Sequence, residues 1–333
     1  MTYLKALIFP RKDEAVIDTL PDPKAGAGEV VVAVKASGIC GTDIEVMHGA
    51  YGASAFPLVP GHEFSGEVIA VGAGVDTLTV GTRVVIDPNI HCGECDPCGR
   101  GLFNLCDKLG AYGVSTHGGF AEQCVVRAEA AIPIGDLDFA TAALCEPLGC
   151  VLNGIEAIGI EGVRTALVFG AGPIGLLMGL ALKAGGVGDV TMVDITPSRL
   201  ELARSFGLGG IESREAALAD KHQAVDLVVD CTGVAAVAAT LTTYAINGGK
   251  VLYFGVCSPD ARIEISPFEV FRRQLTLAGA HSLNHNIPQA LAIIQNDPAT
   301  FARLISDRVT LEEIPSYLEG EKRGGLKVQA LFY

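Results

Sequence analysis

Apolar residues follow two different rhythms along the chain. In residues 1–150, short runs rich in β-branched residues recur at Val30–Val34, Val68–Val71, Val84–Ile86 and Gln123–Val126, with Gly, Pro, Asn and Asp between them. Runs of this kind bounded by turn formers predict strands joined by turns. Between 163 and 280 the runs are Thr165–Phe169, Val190–Val193, Leu227–Val229, Val251–Phe254 and Leu275–Ala278, apolar without alternation and interleaved with helix-like segments. Strands covered on both faces by helices read this way, so a parallel sheet is expected. The C-terminal stretch fits neither rhythm. Its amphipathic Pro288–Ile294 and strand-like Lys327–Phe332 are expected to return to the first domain. Residues 165–182 carry no charge and approach the length of a membrane span. Gly170, Gly172, Pro173 and Gly175 interrupt them, which predicts strand, turn and helix instead. There is no repeat, low-complexity tract or long linker.

Length and composition narrow the picture. The 333 residues correspond to roughly two domains, and 49% hydrophobic against 19% charged residues excludes general disorder. The formal net charge of −14 leaves no electrostatic footprint for nucleic acid or an anionic membrane, so neither is an expected partner. Forty-one glycines imply many tight turns or close backbone approaches. The opening stretch has no long apolar run and no small-residue cleavage site, so a cytoplasmic, reducing setting is expected. In such a setting, clustered cysteines point to metal rather than to disulfides.

The run Gly170-Ala-Gly-Pro-Ile-Gly175 follows a strand-like segment and opens a helix-like one. Its first glycine permits the tight turn, Gly172 lets the backbone approach a pyrophosphate, and Gly175 lets helix pack on sheet. Pro173 and Ile174 start the helix whose N–H groups would hold the phosphates. Asp194 ends the next predicted strand, where its carboxylate would accept hydrogen bonds from ribose hydroxyls and repel a 2′-phosphate. NAD is therefore favoured over NADP. Arg199 would stack on adenine or pair with a 2′-phosphate. A structural role for Asp194 is also open, as N-cap of the helix starting near Pro197. The fragment Val71-Gly-Ala-Gly74, by contrast, is followed by nothing helical.

Cys92, Cys95, Cys98 and Cys106 lie within fifteen residues, and Gly93, Pro97 and Gly99 bend the loop. Four converging thiolates describe a closed, structural zinc site. Two disulfides would need an oxidising compartment, and a ferredoxin-type run has a shorter last spacing followed by Pro.

A second metal site is suggested by three separated segments, Cys40-Gly-Thr-Asp43, Pro60-Gly-His-Glu63 and Cys145-Glu-Pro-Leu148. Cys40, His62 and a carboxylate would leave a fourth position open, as a catalytic zinc requires. Singly, each segment has a plain structural reading: a small buried thiol, or a capped or salt-bridged histidine.

Gly61-His62-Glu63-x2-Gly66-x5-Gly72-x2-Val75 resembles the zinc signature of the medium-chain alcohol dehydrogenase superfamily. The Cys40 segment, the cysteine lobe, Gly170–Gly175 and Asp194 occur in that family's order over essentially the whole chain. The resemblance implies an α/β architecture with a GroES-like β-rich catalytic domain (1–150 and 285–333) and a doubly wound Rossmann domain (151–284). It also implies NAD(P)-linked alcohol oxidation and a homodimer or homotetramer. It makes Cys40 and His62 zinc ligands. Because Glu146-Pro-Leu148 is similar to the polyol and threonine dehydrogenase branch, Glu63 and Glu146 would bind the ion or hold its water. Cys145 stands beside them as an alternative ligand. Thr42 matches the family's proton-relay hydroxyl, whereas the outer relay histidine is replaced by Glu45, with His48 three positions on. Where relatives read Gly-Asp-Arg-Val this chain has Gly81-Thr-Arg-Val84, so Arg83 lacks an adjacent acid and is left a structural ion-pair role.

The chemistry implied is alkoxide formation followed by hydride loss. Water-like hydroxyls have a pKa of about 16, and zinc lowers that of a bound water to ~7, so an alcohol held by zinc loses its proton more readily. Zinc and NAD are the expected cofactors and a sugar alcohol the expected substrate, with L-threonine or a simple secondary alcohol as alternatives. Arg272 and Arg273 face either solvent or the cleft, and His281 is either a cleft residue or a surface turn. The alternative of another class is a non-catalytic nucleotide-binding structural or sensor protein, which usually loses the ligands that Cys40, His62 and Glu63 would supply.

Overall fold

The computed structural model describes residues 3–51, 55–322 and 325–333. The chain divides into two compact units, Met1–Glu146 with Ile287–Tyr333, and Pro147–Asn286. The first unit is built on strands. β1 (Tyr3–Ile8) and β2 (Val16–Pro21) form an antiparallel pair. β3 (Glu29–Gly38), β4 (Glu63–Val71) and β5 (Arg83–Ile86) begin the main sheet. The short pair β6 (Asn89–Ile90) and β7 (Gly110–Ala111) brackets the cysteine-rich loop. β8 (Gln123–Arg127) and β9 (Ala131–Pro133) complete the N-terminal portion. In the second unit follow β10 (Thr165–Phe169), β11 (Asp189–Asp194), β12 (Gly209–Glu212), β13 (Val225–Asp230), β14 (Ala245–Tyr253) and β15 (Thr276–Gly279). The chain then supplies β16 (Ile305–Val309) and β17 (Lys327–Leu331) to the first unit.

The main sheet of the first unit runs β16-β17-β3-β4-β5-β9, with β8 also paired to β3. β3 outruns the Val30–Val34 segment because its polar Lys35 and Ser37 interrupt the apolar run but not the backbone pairing. Its first half pairs with β8 and its last three residues with β17. Two clusters fill this unit. One, around Leu7, Phe9, Leu58 and Phe120, takes in Val328 and Ala330 of β17. The other, around Val32, Phe64, Val84 and Ile86, lies in the sheet. Burying each of these large side chains contributes ~1.5–3 kcal/mol.

The second unit's sheet is wholly parallel, ordered β12-β11-β10-β13-β14-β15, which is the doubly wound dinucleotide-binding order. Leu167, Phe169, Val228, Leu241 and Val251 form its core. The last strand sits one residue later than the apolar pattern suggests, because Leu275 is buried while its N–H bonds Val270 O at 3.0 Å. Six helices matter below: α1 (Gly41–Met47), α2 (Asp96–Gly99), α3 (Phe139–Ala142), α4 (Cys145–Ile158), α5 (Pro173–Ala184) and α6 (Pro197–Ser205). Among the described residues Arg83 does not make the ion pair expected of it. Its Nη2 donates to Leu137 O at 2.8 Å and its guanidinium lies 4.3 Å over the Phe139 ring. Among the described residues no helix is long and apolar enough to cross a membrane.

Candidate active site

In the first unit, Cys40 precedes α1, while His62 immediately precedes β4 and Glu63 opens it. One ligand atom from each of Cys40, His62 and Glu63 lies within 4.8 Å of the others. A sulfur, an imidazole and a carboxylate at this spacing suit a zinc ion with a position to spare. The local backbone explains the convergence. Gly61 has φ +90°, and a Cβ there would strike Phe120, so glycine is needed to turn the chain into β4. Asp43, which is fully buried, ties the pieces together. Its Oδ2 accepts from Cys40 N at 2.8 Å, its Oδ1 accepts from Gly61 N at 3.2 Å, and Oδ1 lies 3.3 Å from His62 Nδ1. A carboxylate beside the second ring nitrogen fixes the imidazole's orientation. Burial pulls the His62 pKa down, but Asp43 and Cys40 outweigh it and hold the value well above that of free histidine.

Glu63 also meets a lysine from the far end of the sequence. Lys327, the first residue of β17, is buried and pairs through Nζ with the Glu63 carboxylate. The strand register makes this possible, since Gly38 of β3 lies opposite both Gln329 and Glu63. A Cβ at Gly38 would collide with the Glu63 carboxylate and crowd Lys327 Cε. The same face docks α3 by polar side chains. Ser65 Oγ donates to Phe139 O at 2.6 Å and Gln329 Nε2 donates to Ala140 O at 2.9 Å. Asp138 caps α3 by accepting from Thr141 N at 3.0 Å.

Glu146 lies in the first turn of the next helix, α4, and is buried. It stands outside the 4.8 Å group of Cys40, His62 and Glu63, although its charge helps to raise the Lys327 pKa after Glu63 and Cys40, against the opposing effect of burial. Cys145 is fully buried and burial pushes its thiol far up, and it stands outside the group formed by Cys40, His62 and Glu63. Thr42 is half-buried in the first turn of α1. Glu45 is exposed, and His48 Nδ1 pairs with Asp13 Oδ1 at 2.6 Å on the surface.

The four cysteines of the loop also converge, with all sulfurs within 4.8 Å. Cys106 Sγ lies 3.5 Å from Cys92 Sγ and 3.8 Å from Cys95 Sγ. A tetrahedron of sulfurs around zinc has edges of about 3.8 Å, from bonds of ~2.3 Å. Cys106 Sγ also accepts from the N–H groups of Cys92 and Lys108, each at 3.3 Å. Backbone hydrogen bonds from Glu94 and Cys95 lower the Cys92 pKa to about 6, whereas burial raises that of Cys98 to about 12. Among the described residues no cysteine is in a disulfide.

In the second unit, Gly170 has φ +96° at the turn out of β10, and a Cβ at Gly175 would strike Gly170 O. A Cβ at Gly172 would meet nothing within 4 Å. Packing thus demands Gly175, whereas Gly172 keeps an open backbone face of the kind a pyrophosphate needs. Pro173 and Ile174 form the first turn of α5. Asp194 is buried at the end of β11, where Oδ2 accepts from Ala171 N and Oδ1 from Thr196 N, each at 2.8 Å. It is not the N-cap of α6, a position taken by Thr196; instead it fastens the glycine loop to the strand end. Arg199 Nη1 approaches Asp194 Oδ2 at 3.8 Å. Arg273 does not face solvent. It is buried, with Nη1 donating to Thr242 O at 2.9 Å and Nη2 donating to Ala245 O. Arg272 and His281 are exposed.

Asp43, Lys327, Gln329 and Ser65 escaped the motif reading. Asp43 carried a signal, an acid three residues after Cys40 at a helix start. Lys327 and Gln329 alternate with apolar Val328 and Ala330, a pattern that normally marks a solvent face.

Residues 26–136 match the alcohol dehydrogenase GroES-like domain and residues 173–296 match the zinc-binding dehydrogenase domain. The chain is 51% identical over 315 residues to D-altritol 5-dehydrogenase of Agrobacterium fabrum, covering 93% of this chain and 94% of that protein. It is 30% identical over 326 residues to D-arabinitol dehydrogenase 1 of Uromyces fabae, covering 95% and 93%. The crystal structure of a protein described as a zinc-binding dehydrogenase from Sinorhizobium meliloti 1021, bound to NADP, superposes with a TM-score of 0.94 at 30% identity, covering 100% of both chains.

Proposed function

The chain belongs to the zinc-binding alcohol dehydrogenase superfamily, and from that premise we propose that it oxidises a secondary hydroxyl of a sugar alcohol to a ketone and passes the hydride to NAD. The observation that carries this reading is the convergence of Cys40, His62 and Glu63 on one point, in a chain whose relatives act on D-altritol and D-arabinitol. When bound, zinc supplies Lewis acidity that eases deprotonation of a hydroxyl, and the nicotinamide accepts the hydride. Cys40, His62 and Glu63 hold the ion, Asp43 orients His62, and Glu146 supports the open position. Thr42 takes the hydroxyl proton toward solvent. Cys92, Cys95, Cys98 and Cys106 hold a second, structural ion. Gly170, Gly172, Pro173, Ile174 and Gly175 cradle the pyrophosphate, with Arg199 beside the adenosine. The Asp194 carboxylate disfavours a 2′-phosphate, which supports NAD over NADP. The same reading carries a cytoplasmic homodimer or homotetramer.

A panel of D-altritol, D-arabinitol, sorbitol, 2,3-butanediol and L-threonine, each with NAD and with NADP, tests the proposal by absorbance of the reduced nicotinamide. Turnover is expected to be fastest with a polyol and NAD and to vanish after chelation. A preference for L-threonine or the simple diol, or unchanged turnover in Cys40→Ser protein lacking the ion, would refute it.

A further inference from the structure

We infer that Lys327 is a built-in counter-charge for Glu63, which holds the ligand cluster of the first unit together without a metal and thereby weakens its grip on zinc. This rests on the zinc-site reading above. Lys327 is only 5% exposed and Glu63 only 1%. Burying an ammonium or a carboxylate is costly unless the two are paired. Lys327 Nζ hydrogen-bonds Glu63 Oε1 and forms an ion pair with Oε2. Among the described residues Lys327 Nζ is the partner of both carboxylate oxygens, so the lysine's charge is what compensates the buried carboxylate. Glu63 is one of three residues, with Cys40 and His62, whose ligand atoms lie within 4.8 Å of one another. The lysine's charge therefore stands against one of the donors that would hold a divalent cation.

Two consequences follow from charge alone. Replacing Lys327 by a neutral side chain leaves Glu63 buried and unpaired, which destabilises the metal-free protein. It also removes a positive charge that repels the incoming ion at short range. Zinc binding then restores the missing compensation, so affinity rises as metal-free stability falls. Lys327 is thus a positioning residue that sets metal affinity, with no contact to substrate required of it.

The test uses full-length protein, chelator-treated and then titrated with zinc against a chromophoric competitor. Cys40→Ser protein, which keeps only the cysteine lobe, defines that lobe's contribution. Lys327→Met is expected to melt below wild type when metal-free and to bind zinc at the Cys40 site about tenfold or more tightly. Lys327→Arg is expected to behave as wild type. Lys327→Met combined with Glu63→Gln, which neutralises both partners, is expected to regain metal-free stability and lose the gain in affinity. Equal or weaker zinc binding by folded Lys327→Met overturns the inference. If Lys327→Met does not fold without metal, recovery of folding in the double variant supports the pairing and its failure overturns it. Wild-type protein that binds no more zinc than Cys40→Ser overturns the zinc-site reading itself, a result distinct from every outcome for Lys327.

Discussion

The chemistry of the first unit turns on residues that touch ligands rather than on ligands alone. Asp43 joins Cys40, Gly61 and His62 through one carboxylate. Asp43→Asn keeps its size but removes its charge, and is expected to weaken zinc at the Cys40 site by about 10–100-fold, measured by the same competition titration. Cys145 provides the opposite case. Its thiol is fully buried, and Cys145→Ala is expected to leave zinc stoichiometry unchanged; loss of one ion per chain would make it a ligand after all. The motif Cys40-Gly-Thr-Asp43 is legible in the sequence because α1 brings its cysteine and acid together within one turn. Lys327 is not, because it pairs with Glu63 across 264 positions, and no local pattern encodes that meeting.

At the level of elements, the glycine loop between β10 and α5 separates packing from binding. Gly175→Ala puts a Cβ against Gly170 O and is expected to lower the melting temperature. Gly172→Ala, with open space before it, is expected to leave melting unchanged and to weaken NADH binding, read by nicotinamide fluorescence, by roughly tenfold or more. Asp226 ties the starts of β10 and β13, accepting from Arg164 N at 3.0 Å and from Thr165 N at 2.9 Å. Burial acts to raise its pKa, but the hydrogen bonds from Thr165 and Arg164 outweigh burial and the net shift is downward. Its stabilising effect is therefore full above the ordinary carboxylate range and is lost as pH falls through the depressed native value. Asp226→Asn is expected to cost ~1 kcal/mol at neutral pH and to make denaturant midpoints less sensitive to pH on the acid side. These strands were legible from their unalternating apolar runs. The early start of β14 at Ala245 was not, since Asn247, Gly248 and Gly249 look like a turn; they lie in an irregularity between Ala245 and Lys250, the residues that pair with β13 on either side.

For the whole molecule, the two ligand groups predict two kinds of metal loss. Cys106→Ser is expected to lose the ion of the cysteine lobe and to lower thermal stability, while the Cys40 site still binds zinc. Cys40→Ser is expected to do the reverse, abolishing turnover with little effect on the lobe. Metal content by elemental analysis, set beside melting curves, separates the two. Loss of both ions from either variant would mean that the sites are not independent.

What the sequence by itself determined is whatever chemistry can be written over a few adjacent residues. Four thiols in one bent loop, a glycine turn between strand and helix, and a cysteine and an acid at one helix start are such local statements, because backbone geometry alone brings their atoms together. Tertiary structure decided the rest. It placed a C-terminal lysine beside Glu63 through the neighbouring strands β17, β3 and β4, left Glu146 outside the tightest ligand group, and turned Asp194 inward as a fastener of the glycine loop. Each depends on strand register and burial, and these arise only when distant segments share one sheet.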